Sequence, residues 1–355
     1  MASYAKLYAA NAASVHAHQP GNSRQGVIVT RTPLRISFAG GGTDLAEFYE
    51  QQYGAVLSCA INKYVYVTVK RHSELFYEPI RVNYSKTEQV QSIDELENNI
   101  ARECLRFLQI EPPIYISTVS DVPASSGLGG SSSFAVGLLH ALHAYRGERV
   151  SAGQLAEEAS YIEIEVLRQP IGKQDQYAAA FGGLNFFRFY PDGAVSVEPQ
   201  PLPVRGMSDL FDHVMMFWTG MQRDTSSVLA DQKQQTLMKS DSLLEMRGHA
   251  HALQELVATS AFDASVFGYI LDKTWQRKRG LATTITTERI DEWYRRAMQA
   301  GAEGGKICGA GGGGFLMLIV KSEHREAVRR SLSELAEISV RHEVYGSQVL
   351  VPYMD

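Results

Sequence analysis

Three clusters of glycine constrain this chain more than any other feature of its sequence. They are Gly40–Gly42, the Gly-Leu-Gly-Gly run Gly127–Gly130, and Gly309–Gly314. The total of 30 glycines in 355 residues is ordinary for a globular protein, so the clustering is informative and the number is not. Glycine allows positive φ angles and a close approach of the backbone to a ligand. Each cluster is therefore a candidate for a loop that lies against a ligand.

The middle cluster lies between a predicted strand and a predicted helix. The segment Asp121–Ser133 follows the strand Ile114–Val119 and leads directly into the apolar helix Phe134–Tyr145. The first N–H groups of a helix have no partner within it, and the helix dipole adds positive charge there, so the position suits phosphate. Serine hydroxyls in such a loop can cap the helix, contact phosphate or bind Mg²⁺. We predict a phosphate-binding loop, with a capped tight turn as the alternative.

The last cluster matches the pattern GxGxxG but not the structural context of that motif. In a dinucleotide-binding site the glycines follow a strand and open a helix. Here the apolar segment Phe315–Val320 follows the glycines and is typical of a strand, so a Rossmann-type site is excluded. A Walker A loop is excluded because Gln174 follows Gly172-Lys173 and Leu167 stands where the first glycine is required. The sequence also lacks the HRD and DFG motifs of protein kinases.

A segment rich in charge follows the predicted phosphate loop. It carries Glu163 and Glu165, then a Pro-Gly loop with Arg168 and Lys173, then Asp175. Two glutamates two positions apart on a helix face different directions, so at most one of them should point into a given site. A glutamate at a helix end and an aspartate in a loop could serve as a metal ligand and a proton acceptor. Solvated surface charge is the alternative.

Composition and charge exclude several classes of protein. Acidic residues exceed basic ones by 39 to 34, the net charge is −5, and no basic stripe is present, so we expect no nucleic-acid partner. Apolar runs are far shorter than the roughly 20 residues of a membrane span, so no membrane partner is expected either. Three widely spaced cysteines without a CxxC pair argue against a disulfide framework and a structural zinc site, and they fit a cytoplasmic setting.

Helical and strand patterns follow one another irregularly in both halves of the chain, which predicts an α+β fold. Pro199–Gly206 contains three prolines and is the predicted domain boundary. The N-terminal Met1–Gly26 lacks the apolar core of a signal peptide and is expected to be a loose extension. The segment Arg277–Arg279 is expected to be a solvated basic turn.

Taken together, three segments resemble the three motifs of the GHMP kinase superfamily. They are Pro33–Asp44, Pro123–Ser133 and Lys306–Phe315, in the order and at the spacing of that family. The resemblance implies a two-domain α+β fold with bound ATP and Mg²⁺. It places an extension at residues 1–26, a ribosomal-protein-S5-like ATP-binding domain at 27–203 and a ferredoxin-like domain at 204–355.

Within the superfamily, the wording RTPLRISFAGGGTDL and KICGAGGGGF is most similar to bacterial D-glycero-D-manno-heptose 7-phosphate kinases. That likeness implies phosphorylation of the anomeric C1 hydroxyl to a 1,7-bisphosphate, in GDP-heptose and surface-polysaccharide biosynthesis. The alternatives are another sugar 1-kinase, of fucokinase or galactokinase type, and a non-catalytic relative that binds a metabolite or a partner protein. The resemblance leaves a homodimer open.

The family pattern also implies roles for individual residues. Asp175 would be the catalytic aspartate and Arg35 would lie near the reacting hydroxyl, while Lys173 either keeps Asp175 ionised or lies on the surface. Mg²⁺ would bind Ser131 and Glu165. The residues implied to bind ATP are Ser125, Ser126, Gly127, Leu128, Gly129, Gly130, Ser131, Ser132 and Ser133.

The expected acceptor site draws on several loops. Gly41 and Gly42 stand where galactokinases carry Glu-His, and the loss of that carboxylate favours an anionic sugar phosphate. Basic candidates for the substrate phosphate are Arg31, Lys173 and Arg223. The other residues implied to bind the substrate are Thr43, Asp44, Gly172, Gly311, Gly312 and Gly313. The aromatic candidates to stack on adenine are Tyr64, Tyr66, Phe76, Tyr77 and Tyr84, each of which could instead belong to the core.

Overall fold

The computed structural model describes residues 26–200, 204–222, 240–258 and 262–351. These residues form two β-sheets covered by helices, so the α+β prediction is confirmed. The first sheet has eight strands in the order β12-β1-β2-β5-β3-β4, with β6 paired to β2 and β7 to β6. Its strands are β1 (Ile28–Ala39), β2 (Gly54–Arg71), β3 (Ile80–Asn83), β4 (Thr87–Val90), β5 (Ile114–Ser120), β6 (Leu184–Phe189), β7 (Val195–Pro199) and β12 (Gln348–Val351).

The central strands β1 and β2 are longer than the sequence pattern predicts. The sequence predicts two short strands, Val27–Thr30 and Arg35–Phe38, separated by Pro33. The structure instead has one strand that runs through Pro33, and its register with β2 shifts between Pro33 and Leu34. A proline lacks the N–H that a ladder requires, and a shift of register at that point accommodates its loss. Likewise, the sequence predicts two strands, Ala55–Ile61 and Tyr64–Lys70, and the structure has the single continuous strand β2 there.

The second sheet has four antiparallel strands in the order β11-β8-β10-β9. They are β8 (Val214–Trp218), β9 (Ala302–Ile307), β10 (Phe315–Val320) and β11 (Ala336–Ile338). The apolar β10 is buried along its whole length, as expected for a central strand covered on both faces.

Helices cover both sheets. They are α1 (Ala46–Tyr49), α2 (Asn99–Phe107), α3 (Gly130–Tyr145), α4 (Ala152–Ser160), α5 (Gln174–Phe181), α6 (Val204–His213), α7 (Ser240–Ala258), α8 (Ala264–Arg279), α9 (Glu288–Gln299) and α10 (Arg325–Ser331). Short 3₁₀ turns lie at Ile93–Glu95 and Ser322–His324. No helix in the described ranges is both long and apolar enough to cross a membrane.

The apolar helix α3 is the element that fixes the site. It is buried against β1 and β2, where Thr30 Oγ1 donates to the Gly137 carbonyl at 2.9 Å. A Cβ atom on Gly137 would lie 2.6 Å from Thr32 Oγ1, so glycine is what lets the helix approach the sheet this closely. The position of the helix N-terminus is therefore set by the core.

The two parts of the chain are closely joined. The last strand, β12, comes far beyond the predicted boundary in the sequence, yet it pairs antiparallel with β1 in the first sheet. One continuous apolar core includes residues of α3, of β10 and of α7 and α8, while a second lies between β10 and α9. The predicted domain boundary between residues 203 and 204 stays a prediction. Residues 1–25 of the predicted N-terminal extension lie outside the described residues.

Candidate active site in the cleft between the sheets

A cavity of about 640 Å³ lies where the two sheets face each other. That volume falls within the usual range for small-molecule sites. It is lined by the loop after β5, by the N-terminus of α3, by the turn after β1, and by α8 and β9 of the second part. Of the predicted site residues, it brings together Arg35, Gly41, Gly42, Asp44, Ser125, Ser126, Gly127, Gly129, Gly130, Ser131, Ser132, Gly172 and Asp175.

The predicted phosphate loop presents the start of α3 to this cavity. Gly127 and Gly129 have φ angles of 80° and 79°, which glycine adopts without strain. The Arg35 amide donates to the Leu128 carbonyl at 3.0 Å, and Ser133 Oγ donates to the Pro33 carbonyl at 2.8 Å. Leu128 and Ser133 thus anchor the loop to β1 and do not line the cavity. The first N–H groups of α3 have no partner within the helix, an arrangement that suits an anion.

Asp175 lies at the start of α5 and is held by Arg35. The Arg35 Nε and Nη2 atoms each donate to one carboxylate oxygen of Asp175 at 2.7 Å, and Nη1 donates to the Gly127 carbonyl at 2.6 Å. Arg35 is buried, whereas the Asp175 side chain keeps 24% exposure. A bidentate pair of this kind fixes both groups in one plane. The carboxylate is therefore positioned beside the phosphate loop and still accessible from the cavity.

The buried carboxylate beside the phosphate loop is Glu163, and Glu165 was the wrong choice from the sequence. Glu163 is 1% exposed, lines the cavity and accepts a hydrogen bond from Gln176 Nε2 at 2.7 Å. Burial raises its pKa to about 7, while hydrogen bonding with Ser132, Gln176 and Ser131 opposes the rise. Glu165 points elsewhere, forms an ion pair with Arg168 at 3.2 Å, and does not line the cavity.

The reason for this difference lies in the backbone. Tyr161–Val166 forms a π-helical turn at the end of α4. Such turns are rare and occur often at functional sites. The wider turn changes the direction of successive side chains from that in an α-helix, so α-helical spacing could not decide between the two glutamates.

The turn after β1 forms the other side of the cavity. The Gly42 amide donates to Asp44 Oδ1 at 2.8 Å, and the Gln174 amide donates to Asp44 Oδ2 at 3.3 Å. Burial raises the pKa of Asp44, and those amides oppose the rise. Gly172 lies so close that a Cβ atom there would be 2.1 Å from Asp44 Oδ2. Thr43 is buried, donates to the Gly40 carbonyl at 2.7 Å and does not line the cavity.

Two of the three basic residues predicted for the substrate phosphate do not line the cavity. Arg31 donates to Gln348 Oε1 at 2.8 Å and lies over the Tyr64 ring. Lys173 donates to the Gly193 carbonyl at 2.9 Å and lies 3.8 Å from Glu157, so it does not face Asp175. Both predictions were therefore wrong about position. Arg223 lies outside the described residues.

Most of the last glycine cluster packs against other parts of the protein, and little of it lines the cavity. Gly309 and Ala310 line the cavity, but Gly311, Gly312 and Gly313 do not. The Gly312 amide donates to the Ile285 carbonyl at 2.7 Å, and Gly313 lies against Met221. The prediction that these three glycines bind the substrate was therefore wrong about their position.

Two buried lysines line the cavity, and sequence reasoning missed both. Lys278 is 6% exposed and its Nζ donates to the Gly309 carbonyl. Lys306 is 2% exposed and its Nζ donates to the carbonyls of Ser37 at 2.7 Å and Phe38 at 3.4 Å. Burial lowers the pKa of Lys278 to about 8 and that of Lys306 well below its usual value.

A signal for Lys278 was present in the sequence. Leu271, Trp275 and Lys278 follow at helical spacing, and all three are buried on one face of α8. The expected solvated turn therefore holds only for the neighbours: Arg277 keeps 53% and Arg279 31% exposure, each in an ion pair.

Another part of the cavity lining has no charged side chain. Of the five aromatic candidates, Tyr84 lines it, and Tyr64, Tyr66, Phe76 and Tyr77 do not. The other residues in this part are Val65, Ser85, Asn98, Ile100, Thr118, Ser120, Val122 and Pro123. Apolar side chains mixed with amide and hydroxyl groups can hold a planar heterocycle.

Comparison with known proteins agrees with this geometry. Residues 96–183 match the GHMP kinases N terminal domain and residues 253–338 match the GHMP kinases C terminal domain. The chain is 31% identical over 303 residues to a D-glycero-alpha-D-manno-heptose 7-phosphate kinase of Campylobacter jejuni, covering 82% of this chain and 89% of that protein.

Other relatives are more distant. An L-fucokinase/L-fucose-1-P guanylyltransferase of Bacteroides fragilis is 25% identical, over 87% of this chain and 36% of its own length. A galactokinase of Pyrococcus furiosus is 24% identical over 85% of this chain and 91% of its own. Among solved structures, a D-glycero-D-manno-heptose 1-phosphate kinase from Bacteroides thetaiotaomicron superposes with a TM-score of 0.75 at 25% identity, covering 92% of this chain and all of that one.

Proposed function

The chain belongs to the GHMP kinase family, and we propose that it transfers the γ-phosphoryl group of ATP to the anomeric hydroxyl of D-glycero-D-manno-heptose 7-phosphate. As a sugar kinase of this family it is a phosphotransferase with an alcohol acceptor. The observation that carries the proposal is the Arg35–Asp175 pair, which lies in the cavity beside the N-terminus of α3.

The lining of the cavity suggests how ATP lies in it. The adenine would bind in the part of the cavity near Tyr84 and Asn98, which has no charged side chain. The phosphates would then meet the first N–H groups of α3, beginning at Gly130. This orientation directs the γ-phosphate toward Asp175.

Asp175 would act as the general base. It accepts the proton of the anomeric hydroxyl as that oxygen forms a bond to the γ-phosphorus. The bond from this phosphorus to the bridging oxygen breaks at the same time, and ADP leaves with the electron pair. Little covalent chemistry is asked of the protein in such a transfer, which depends mainly on positioning and on neutralising charge.

The residues beside the phosphate loop fit Mg²⁺. Glu163 is a buried carboxylate with no basic partner among the described residues, and burial raises its pKa. Magnesium prefers oxygen ligands and often takes only one or two carboxylates from the protein. Glu163 and Ser131 would hold the ion. When bound, it would neutralise negative charge on the β- and γ-phosphates.

The opposite side of the cavity would hold the sugar. Asp44 is fixed by two backbone amides and can accept hydrogen bonds from sugar hydroxyls. Ser37 Oγ and Gln174 Oε1 are buried here and have no hydrogen-bond partner within the described part of the chain. Buried polar atoms are nearly always paired, so both are ready to bind a polar ligand. Gly41 adds no side chain, which leaves room for an acceptor larger than a hexose.

The proposal is tested by Mg²⁺-dependent ADP release with a panel of acceptors. The panel contains D-glycero-D-manno-heptose 7-phosphate, mannose 6-phosphate, galactose, fucose, mannose and mevalonate. We expect the highest kcat/KM with the heptose phosphate. Preference for galactose or fucose would keep the sugar kinase and overturn the acceptor. ATP binding without turnover on any sugar would favour a non-catalytic binding protein.

A further inference from the structure

The two buried lysines of the cavity have no role in the mechanism given above. Among the residues that the structure describes, neither ammonium group forms an ion pair, and both donate only to backbone carbonyls. A buried charge is costly unless it is paired. Lys278 uses one of its three donors on Gly309, so its charge and its remaining donors are available to an anion in the cavity.

The location of Lys278 shows which anion it would meet. Its partner Gly309 packs directly on the phosphate loop, where a Cβ atom on Gly309 would lie 2.6 Å from Gly127 Cα. The carbonyl of Gly127 in turn accepts a hydrogen bond from Arg35, which holds Asp175. Lys278 therefore reaches from α8 to the point where the two glycine loops meet, next to the reacting groups.

We propose that Lys278 is a catalytic residue that binds the transferred γ-phosphoryl group from the side of the C-terminal domain. The inference rests on the proposed function, since it assigns a group to the same phosphoryl transfer. In the transition state the negative charge of this group is spread over three oxygens, and cations on more than one side stabilise it best. Arg35 supplies one from β1, and Lys278 supplies another from α8.

Lys306 is a positioning residue in this arrangement. Its two hydrogen bonds to β1 tie the second sheet to the strand that carries Arg35. The charge of Lys278 lowers the pKa of Lys306 in the same direction as burial does, so the two amines are close enough to interact. A phosphate bound between Lys278 and Arg35 would oppose the effect of burial and raise the pKa of Lys278, because a nearby negative charge favours the protonated amine.

The test compares ATP with ADP, which differ only in the γ-phosphate. The Lys278→Met variant keeps the side-chain length and removes the charge. By calorimetry, we expect ATP to bind about 10- to 100-fold more weakly to this variant, and ADP to bind as it does to the wild type. The matched control is Arg277→Met, which removes a charge from the neighbouring, exposed position of the same helix and should change neither affinity.

Turnover provides a second readout. Lys278→Met should lower kcat about 100- to 1,000-fold for every acceptor that the enzyme uses, with little change in the KM of the acceptor. Lys278→Arg should restore part of kcat, because it restores the charge. If Lys278→Met instead raises only the KM of phosphorylated sugars and leaves ATP affinity unchanged, the lysine serves the phosphate of the acceptor and the proposal is overturned.

A measurement on the wild-type protein covers the case in which Lys278→Met does not fold. Acetic anhydride labels accessible amines, and mass spectrometry reports the extent at Lys278. We expect ATP to protect Lys278 more than ADP does at equal saturation, and equal protection would contradict the proposal. The ATP and ADP comparisons need no acceptor, so a failure of the whole acceptor panel would overturn the proposed function and leave these results to decide on Lys278.

Discussion

Two glycine-rich loops meet in the cleft and use their glycines in different ways. The loop before α3 exposes its residues from Ser125 to Ser132 to the cavity, apart from the buried Leu128. The run Gly309–Gly314 mostly packs against protein. A Cβ atom added at Gly311 would lie 2.7 Å from the carbonyl oxygen of Ile285. At Gly313 it would lie 2.4 Å from the carbonyl oxygen of Met221, and at Gly314 it would lie 2.4 Å from that of Ser126.

A glycine cluster in a sequence therefore predicts that the backbone comes close to another group, but it does not predict whether that group is a ligand or another part of the protein. The backbone of the first loop lines the cavity. The backbone of the second loop approaches the first loop at Gly309 and Gly314, and other parts of the protein at Gly311 and Gly313. The charge that the second loop brings to the site comes from its hydrogen-bonded neighbour Lys278. Side chains that hold a packing loop are therefore candidates for function even where the loop itself is not.

The largest loss of activity is expected at Asp175, the proposed base beside the first loop. Asp175→Asn removes the proton acceptor while it keeps an oxygen that can bind Arg35. We expect kcat to fall about 100- to 10,000-fold, with ATP affinity close to that of the wild type. Steady-state kinetics and calorimetry check this. Full activity in the variant would remove Asp175 from the chemistry.

The packing role of the second loop is tested by stability. Gly309 has a φ of +66° and lies against Gly127, so Gly309→Ala combines backbone strain with a steric clash. We expect a loss of about 2–4 kcal/mol in the free energy of unfolding, measured with urea. The matched control is Gly130→Ala, where no atom lies within 4 Å of the added Cβ. Equal stability of the two variants would contradict the proposed difference between the loops.

The correction from Glu165 to Glu163 has its own test. Glu163→Gln removes the buried carboxylate, and we expect the Mg²⁺ concentration for half-maximal activity to rise about 10- to 100-fold. Glu165→Gln is the control, since this side chain pairs with Arg168 outside the cavity, and its Mg²⁺ requirement should match the wild type. The reverse pattern would return the metal to Glu165.

A smaller effect is expected at the first glycine cluster. The backbone at Gly41 lies outside the positive-φ region, and an added Cβ would make ordinary contacts at 3.6 Å with Gln174 and 3.9 Å with Ser37. Gly41→Glu should therefore fold and should raise the KM for heptose 7-phosphate roughly tenfold through charge repulsion. Gly41→Gln has the same size without the charge and should change KM less. Equal effects would indicate loss of space rather than repulsion.

Local signals in the sequence were enough for much of the fold and part of the site. The phosphate loop was predictable because a strand, a glycine-serine segment and an apolar helix follow one another directly. Arg35, Asp44 and Asp175 came from the family pattern, and the structure brings all three to one cavity. The strand Phe315–Val320 was predictable because it is a continuous apolar run.

The residues that were misassigned depend on geometry that local patterns do not contain. Glu163 faces the site because of a π-helical turn, which α-helical spacing does not predict. Lys173 turns away from Asp175 because the Gly193 carbonyl, in the distant turn between β6 and β7, accepts its hydrogen bond. Lys278 was hidden in a basic triplet whose outer members are solvated, although its spacing from Trp275 placed it on the buried face.

We propose that this cavity transfers the γ-phosphoryl group of ATP to the anomeric hydroxyl of a sugar, with Asp175 as the base. Phosphorus NMR of a reaction with ATP, Mg²⁺ and D-glycero-D-manno-heptose 7-phosphate tests it most directly. We expect one anomeric phosphate for each ADP formed, and none above background with Asp175→Asn. ADP formed without a sugar 1-phosphate, or phosphate found on another hydroxyl, would contradict it.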